Sequence, residues 1–214
     1  MKSGALGVLI FTLMFQNLHA QPTVQWQKTF GGESHDYGRK ALLTTDGDYL
    51  IVGYTFSNGG DVIGFHGISD FWVLRLSSSG ELLWKKTYGG SDHDLPFDAV
   101  QTPDGGFVIA GHTRSDDGDV TGQHGEKDAW IIKIDGSGTL LWQRTLGGSG
   151  WDEAWSITLT SDGGYAVAGT SDSSDGDCLG NPGQSQDYWV VKMKGGGEIE
   201  WQKSYGGSNF DRGI

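Results

Sequence analysis

From Leu82 to Tyr88 the chain alternates, with Leu82, Trp84, Lys86 and Tyr88 on one face and Leu83, Lys85 and Thr87 on the other. A period of two with one largely apolar face predicts a half-buried β-strand. The same pattern occurs at Val24-Trp26-Lys28-Phe30, Leu140-Trp142-Arg144-Leu146 and Ile199-Trp201-Lys203-Tyr205. A second strand is expected near Phe97 to Thr102. Asp104-Gly105 then turns the chain, since glycine takes positive φ freely. The run Phe107-Val108-Ile109-Ala110 is apolar on both faces, which predicts a central strand covered on both sides. After a polar loop, Asp128 to Ile134 reads as a further strand. The turn Asp135-Gly136-Ser137-Gly138 feeds the next Trp-bearing strand.

This order repeats. Trp26, Trp84, Trp142 and Trp201 lie 58, 58 and 59 residues apart, and Asp36, Asp94, Asp152 and Asp211 keep similar steps. Asp70, Asp128 and Asp187 recur as well, each followed two residues later by Trp72, Trp130 or Trp189. We divide the chain into a domain over 21–214 with units 24–81, 82–139, 140–198 and a partial 199–214. Each full unit is read as four strands beginning with the Trp-bearing one. Repeated four-stranded antiparallel units predict an all-β, β-propeller-like fold of about three and a third blades. The recurring Trp and Asp residues are read as structural. Each recurring Asp is expected to pair with a nearby base or to cap its own loop. The chain stops in mid-motif, which predicts a fragment of a longer surface or secreted protein. The less favoured arrangement is two chains closing one ring.

The motifs Trp142-x-x-Thr145-x-Gly147-Gly148, Asp162-Gly163-Gly164-Tyr165, Ala168-Gly169 and Asp187-x-Trp189-Val190-Val191-Lys192 resemble a repeat of secreted and surface proteins of bacteria and archaea. Proteins with this repeat are sometimes labelled bulb-type-lectin-like. The resemblance covers almost all of the chain after its leader. It implies a β-propeller, often joined to a C-terminal sorting domain of the type IX secretion kind.

Residues 1–20 read as a cleavable signal peptide. Lys2 is followed by the apolar stretch Ala5 to Phe15 and by Leu18-His19-Ala20 at the cleavage site. A secreted or cell-surface location is therefore expected, with no membrane span after cleavage. Acidic residues number 27 against 15 basic, a formal charge of −12. That balance argues against nucleic acid, whose phosphates need clustered Lys and Arg. Cys178 is the single cysteine, which excludes an intrachain disulfide. It occupies the slot of Val62 and Val120 and reads as a small apolar side chain.

A scaffold residue recurs among repeats, whereas a catalytic one is unique. By that test the sequence offers no catalytic residue. The histidines fall in slots that also hold other rings or turn residues, and rim packing is the reading for them. The loop carboxylates Asp116, Asp117 and Asp119 align with Ser174, Asp175 and Asp177, with Asp172 nearby. Several oxygens on a Gly-containing loop suit calcium, although Asp and Gly also build turns. No cofactor is expected otherwise.

The expected function is an exported, non-catalytic binding or scaffold module with a protein or glycan partner at the cell surface. A calcium-dependent carbohydrate-binding or adhesion protein is the alternative. A propeller enzyme with its site in further blades is the third reading.

Overall fold

The computed structural model describes residues 23–181 and 185–207. The predicted leader, Pro182 and the last recurring aspartate, Asp211, lie outside these residues. Twelve strands form three four-stranded antiparallel sheets, each joined in simple sequence order. The first holds β1 (Asp36–Leu43), β2 (Tyr49–Thr55), β3 (Asp70–Leu76) and β4 (Leu82–Tyr88). The second holds β5 (Asp94–Gln101), β6 (Phe107–Thr113), β7 (Asp128–Ile134) and β8 (Leu140–Leu146). The third holds β9 (Asp152–Leu159), β10 (Tyr165–Ser171), β11 (Asp187–Met193) and β12 (Ile199–Tyr205). The fold is all-β, with tandem blade-like sheets.

The grouping of strands corrects the division made from sequence. The Trp-bearing strand closes each sheet and does not open it. β4 pairs with β3, β8 with β7 and β12 with β11. Blade boundaries therefore fall after Tyr88, Leu146 and Tyr205. The segment 199–205 completes the third sheet and does not begin a fourth. Val24 to Phe30 is not a strand, and it pairs with none of the three described sheets. Trp26 still lies where a fourth strand would place it. Its indole N–H donates to Ser78 O at 3.2 Å, and its ring stands edge-on to Tyr49. Trp84 makes the equivalent bond to Gly136 O at 3.1 Å, so this tryptophan rests on the last turn of the following sheet.

Alternation on the middle strands sorts residues between two junctions. In β6, Phe107 and Ile109 join a core with Leu50, Val52, Phe71 and Val73 of the first sheet. Their neighbours Val108 and Ala110 join a core with Val167, Trp189 and Val191 of the third. β6 is buried at every position, as its two apolar faces predict. Trp130 is fully buried in the first junction and Trp189 nearly so in the second. Cys178 is fully buried in that second core, and burial pushes its thiol far above the ordinary range.

At the narrow side the first strands of neighbouring sheets meet, β1 with β5 and β5 with β9. The far end is closed by the Asp-Gly turns, with φ of 87°, 82° and 83° at Gly47, Gly105 and Gly163. Asp46, Asp104 and Asp162 there bind Arg75, Lys133 and Lys192 of the third strands.

Candidate functional site

The two ends of the fan differ in what they repeat. At the end opposite the Asp-Gly turns, the recurring aspartates build the loops. The N–H groups of Gly32, Gly90 and Gly148 donate to Asp36, Asp94 and Asp152 at 2.8, 2.8 and 2.9 Å. Each of these carboxylates therefore caps the Gly-Gly loop before its own strand. Burial pushes Asp94 up to about 7, against hydrogen bonds from Thr113, Gly90 and Ser115. Asp152 rises for the same reason, and so do Asp70 and Asp128, whose Oδ2 atoms accept from His66 and His124.

The calcium candidates face the same loops. Asp117 and Asp175 each accept a backbone N–H at 2.7 Å, from Ser91 and Ser149. Asp119 and Asp177 accept from Gly89 and Gly147 at 3.3 and 3.4 Å. Asp172 accepts from Trp151 N–H, and Asp116 is exposed. Among the described residues no group of three or more His, Cys, Asp or Glu is placed to hold a metal ion. The first sheet keeps the arrangement with Asp61 on Gly31 N–H at 3.2 Å. One oxygen of most of these loop carboxylates is thus engaged in holding backbone.

The slots that do not repeat converge at this same end, on the first strands and the ends of the second. Tyr37, Leu95 and Glu153 share one slot, Arg39, Phe97 and Trp155 another, and Tyr54, His112 and Thr170 a third. Antiparallel pairing sets the start of each first strand beside the end of its second, as Tyr37 beside Tyr54 and Leu95 beside His112. Tyr37 stacks on Tyr54 at 4.8 Å between ring centroids, and Phe97 stacks on Trp155 at 4.2 Å. The Arg39 guanidinium bridges the two stacks, 5.1 Å from the Tyr54 ring and 5.6 Å from Phe97. One slot even forms a polar chain across all three first strands. Lys40 pairs with Asp98 at 2.8 Å, and Asp98 accepts from the Ser156 hydroxyl at 3.0 Å.

Between the second and third sheets, Lys127 Nζ lies 2.8 Å from Glu153 Oε1 and 4.3 Å from the Trp151 ring centroid. His112 Nδ1 stands 3.5 Å from the same carboxylate. Rim packing at the surface does not describe His112, which is buried with 7% exposure. Burial, with Lys127 and Arg114 nearby, pulls its pKa down to about 3, so the imidazole is neutral at physiological pH. Among the sites expected from sequence, none included this cluster of Lys127, Glu153 and His112. The signal was present as slots that differ among repeats inside otherwise matching strands. What the sequence lacked was the knowledge that those slots share one end.

A serine-histidine contact also occurs there, with Ser69 Oγ 2.9 Å from His93 Nδ1. Ser69 is fully buried, which closes it to a substrate carbonyl.

The titrations predict a pH effect. A histidine held neutral in the fold stabilises it at high pH. That contribution is lost as pH falls below about 6.5, where the unfolded chain gains a proton that the folded chain refuses. Asp94 acts in the opposite sense. Its contribution is complete below pH 3.8 and fades as pH rises through about 7. His112→Tyr copies the residue of the first sheet, Tyr54, and removes the histidine contribution alone. In urea melts the stability of this variant relative to the parent is expected to improve steadily as pH falls from about 7.5 to 5. A difference independent of pH would refute the buried, neutral imidazole.

No family model matches the chain. Over 153 aligned positions, which cover 63% of the chain, it is 30% identical to Regulatory protein FlaEY of Caulobacter vibrioides, and the match spans 15% of that relative's length. Among solved structures, the chain is similar to a Bacteroides caccae protein of unknown function, with 14% identity over 81% of this chain and 69% of that one and a TM-score of 0.39. It is also similar to a variant of the Synechocystis apocarotenoid oxygenase, with 15% identity over 84% of this chain and 40% of that one and a TM-score of 0.40. The blade-like assignment rests on the sheet order of the chain itself.

Proposed function

We infer that the chain is an exported, non-catalytic binding module whose recognition surface is the mouth formed by the first strands. One observation carries this reading. Residues that recur build loops and cores, whereas residues released from repetition gather at one end, where they leave charge and ring faces accessible. Tyr37 is 46% exposed and Trp151 39%. Arg39 and Arg114 have no carboxylate partner among the described residues, although the chain as a whole is strongly acidic. Aromatic side chains with exposed faces and unpaired arginines are the residue types that dominate recognition surfaces.

The test is a glycan and protein array probed with the parent chain and with a Tyr37→Ala/Arg39→Ala variant. Both side chains are exposed, so the variant is expected to keep its melting temperature. Any ligand bound by the parent is expected to bind the variant at least about tenfold more weakly, the loss typical of removing two central contacts. Full retention of every ligand by the variant would exclude the mouth as the recognition surface.

A further inference from the structure

The cavity between the first and second sheets at this mouth has a composition at odds with the rest of the molecule. The chain carries a formal charge of −12, yet no carboxylate lines this space of about 250 Å³. Its polar lining consists of Arg114, Lys127, His93 and His112, and Tyr54 and Phe56 contribute aromatic wall. Lys127 is neutralised by Glu153 at 2.8 Å. Arg114 forms no ion pair among the described residues, and its guanidinium carbon lies 5.6 Å from the Trp151 ring centroid. Glu126 and Asp172 are held on Trp151, one by the indole N–H and the other by the backbone N–H. His112 Nδ1 is buried without a hydrogen-bond partner.

A guanidinium with no counter-ion presents paired N–H donors in a plane, the geometry that a carboxylate accepts. The volume falls just below the range of about 300–1,000 Å³ common to small-molecule sites, which limits the occupant to one ring-sized unit. The aromatic wall favours an occupant with a flat apolar face. A pyranose bearing a carboxylate supplies both features. An acidic peptide side chain supplies the charge on a flexible stem and leaves the wall uncovered.

We propose that this cavity binds an acidic sugar residue of an anionic glycan, with its carboxylate on Arg114 and its ring against Phe56. This rests on the mouth being the recognition surface. The experiment is calorimetric titration of the chain with oligogalacturonate, oligomannuronate and sialylated oligosaccharides. Methyl esters of the same sugars and an oligoglutamate peptide serve as comparators. At least one acidic oligosaccharide is expected to bind, and its methyl ester at least about tenfold more weakly, as befits loss of a charge-assisted pair. Arg114→Gln should weaken binding to the same degree with Arg114→Lys between the two, and Phe56→Leu should weaken binding of the acidic sugar as well.

Equal affinity for acid and ester, tighter binding of the glutamate peptide, or no binding of any acidic sugar would each overturn the proposal. In those cases loss of some other ligand on Arg39→Ala would leave mouth-based recognition standing. Insensitivity of every ligand to both arginine substitutions would overturn the two readings together.

Discussion

Replacing Gly169 by alanine is expected to destabilise the chain by about 3 kcal/mol or more, at the upper end of overpacking costs. A Cβ at this position would lie 1.8 Å from the backbone oxygen of Glu153. The cause is a β-bulge. The register between β9 and β10 shifts between Ala168 and Gly169, leaving Trp155 as the extra residue and the Glu153 carbonyl over the glycine. The same device sits in the other sheets, where Cβ atoms on Gly53 and Gly111 would lie 1.9 and 2.1 Å from the oxygens of Tyr37 and Leu95. Backbone cannot swing aside as a flexible side chain can, so the first strand would have to leave its place beside the second. Urea unfolding of Gly169→Ala measures the loss. An alanine variant within about 0.5 kcal/mol of the parent, the spread of neutral surface changes, would show that the bulge is not rigid. Because the bulged strand carries Glu153 and Trp155, the same variant should disturb the mouth before it disturbs the outer strands.

Glu153→Ala is the second large effect expected. Lys127 and Glu153 form an ion pair with side chains only 11% and 9% exposed. Removing one partner leaves a buried charge without its counter-ion, at a cost of about 3 kcal/mol. The molecule itself supplies the control. At the equivalent place between the first and second sheets the two slots hold Ser69 and Leu95. A Lys127→Ser/Glu153→Leu double variant therefore transplants a solution that this fold already uses. It is expected to recover most of the stability lost by Glu153→Ala, because replacing both charges removes the desolvation problem at its source. Denaturant melts of Lys127→Ser, Glu153→Leu and the double variant complete the cycle. If the double variant is no better than the worse single one, the loss comes from packing and not from the unpaired lysine. Recovery of the fold together with loss of ligand binding would separate the pair's role in stability from its role at the mouth.

Both results concern places where repeat and exception meet. Gly169 belongs to a motif visible in every full unit, where Gly53 and Gly111 hold the same slot. The reason for glycine there, a neighbouring carbonyl over the Cα, is a contact between residues 16 positions apart, Glu153 and Gly169, and no local pattern contains it. The buried pair is the opposite case. Lys127 and Glu153 break the repeat, and each alone looks like a surface charge. Only docking of the second sheet on the third brings them to 2.8 Å. The candidate site had the same legibility. Arg39, Phe97 and Trp155 could be aligned as one variable slot, but stacking between rings on different sheets was invisible without the fan.

The amino-acid sequence by itself determined the spacing of the strands, most of their positions and the class of fold. Alternation with period two is a property of neighbouring residues, and Asp-Gly turns act over a few positions. It also determined that β6 would be covered on both faces and that tryptophan would recur at two slots. Tertiary structure decided where one sheet ends and the next begins. A tandem repeat looks the same from any starting point along its period, so its sequence carries no mark of phase. Strand pairing breaks that equivalence, joining Leu82–Tyr88 to Asp70–Leu76 before it, while Val24–Phe30 pairs with none of the described sheets.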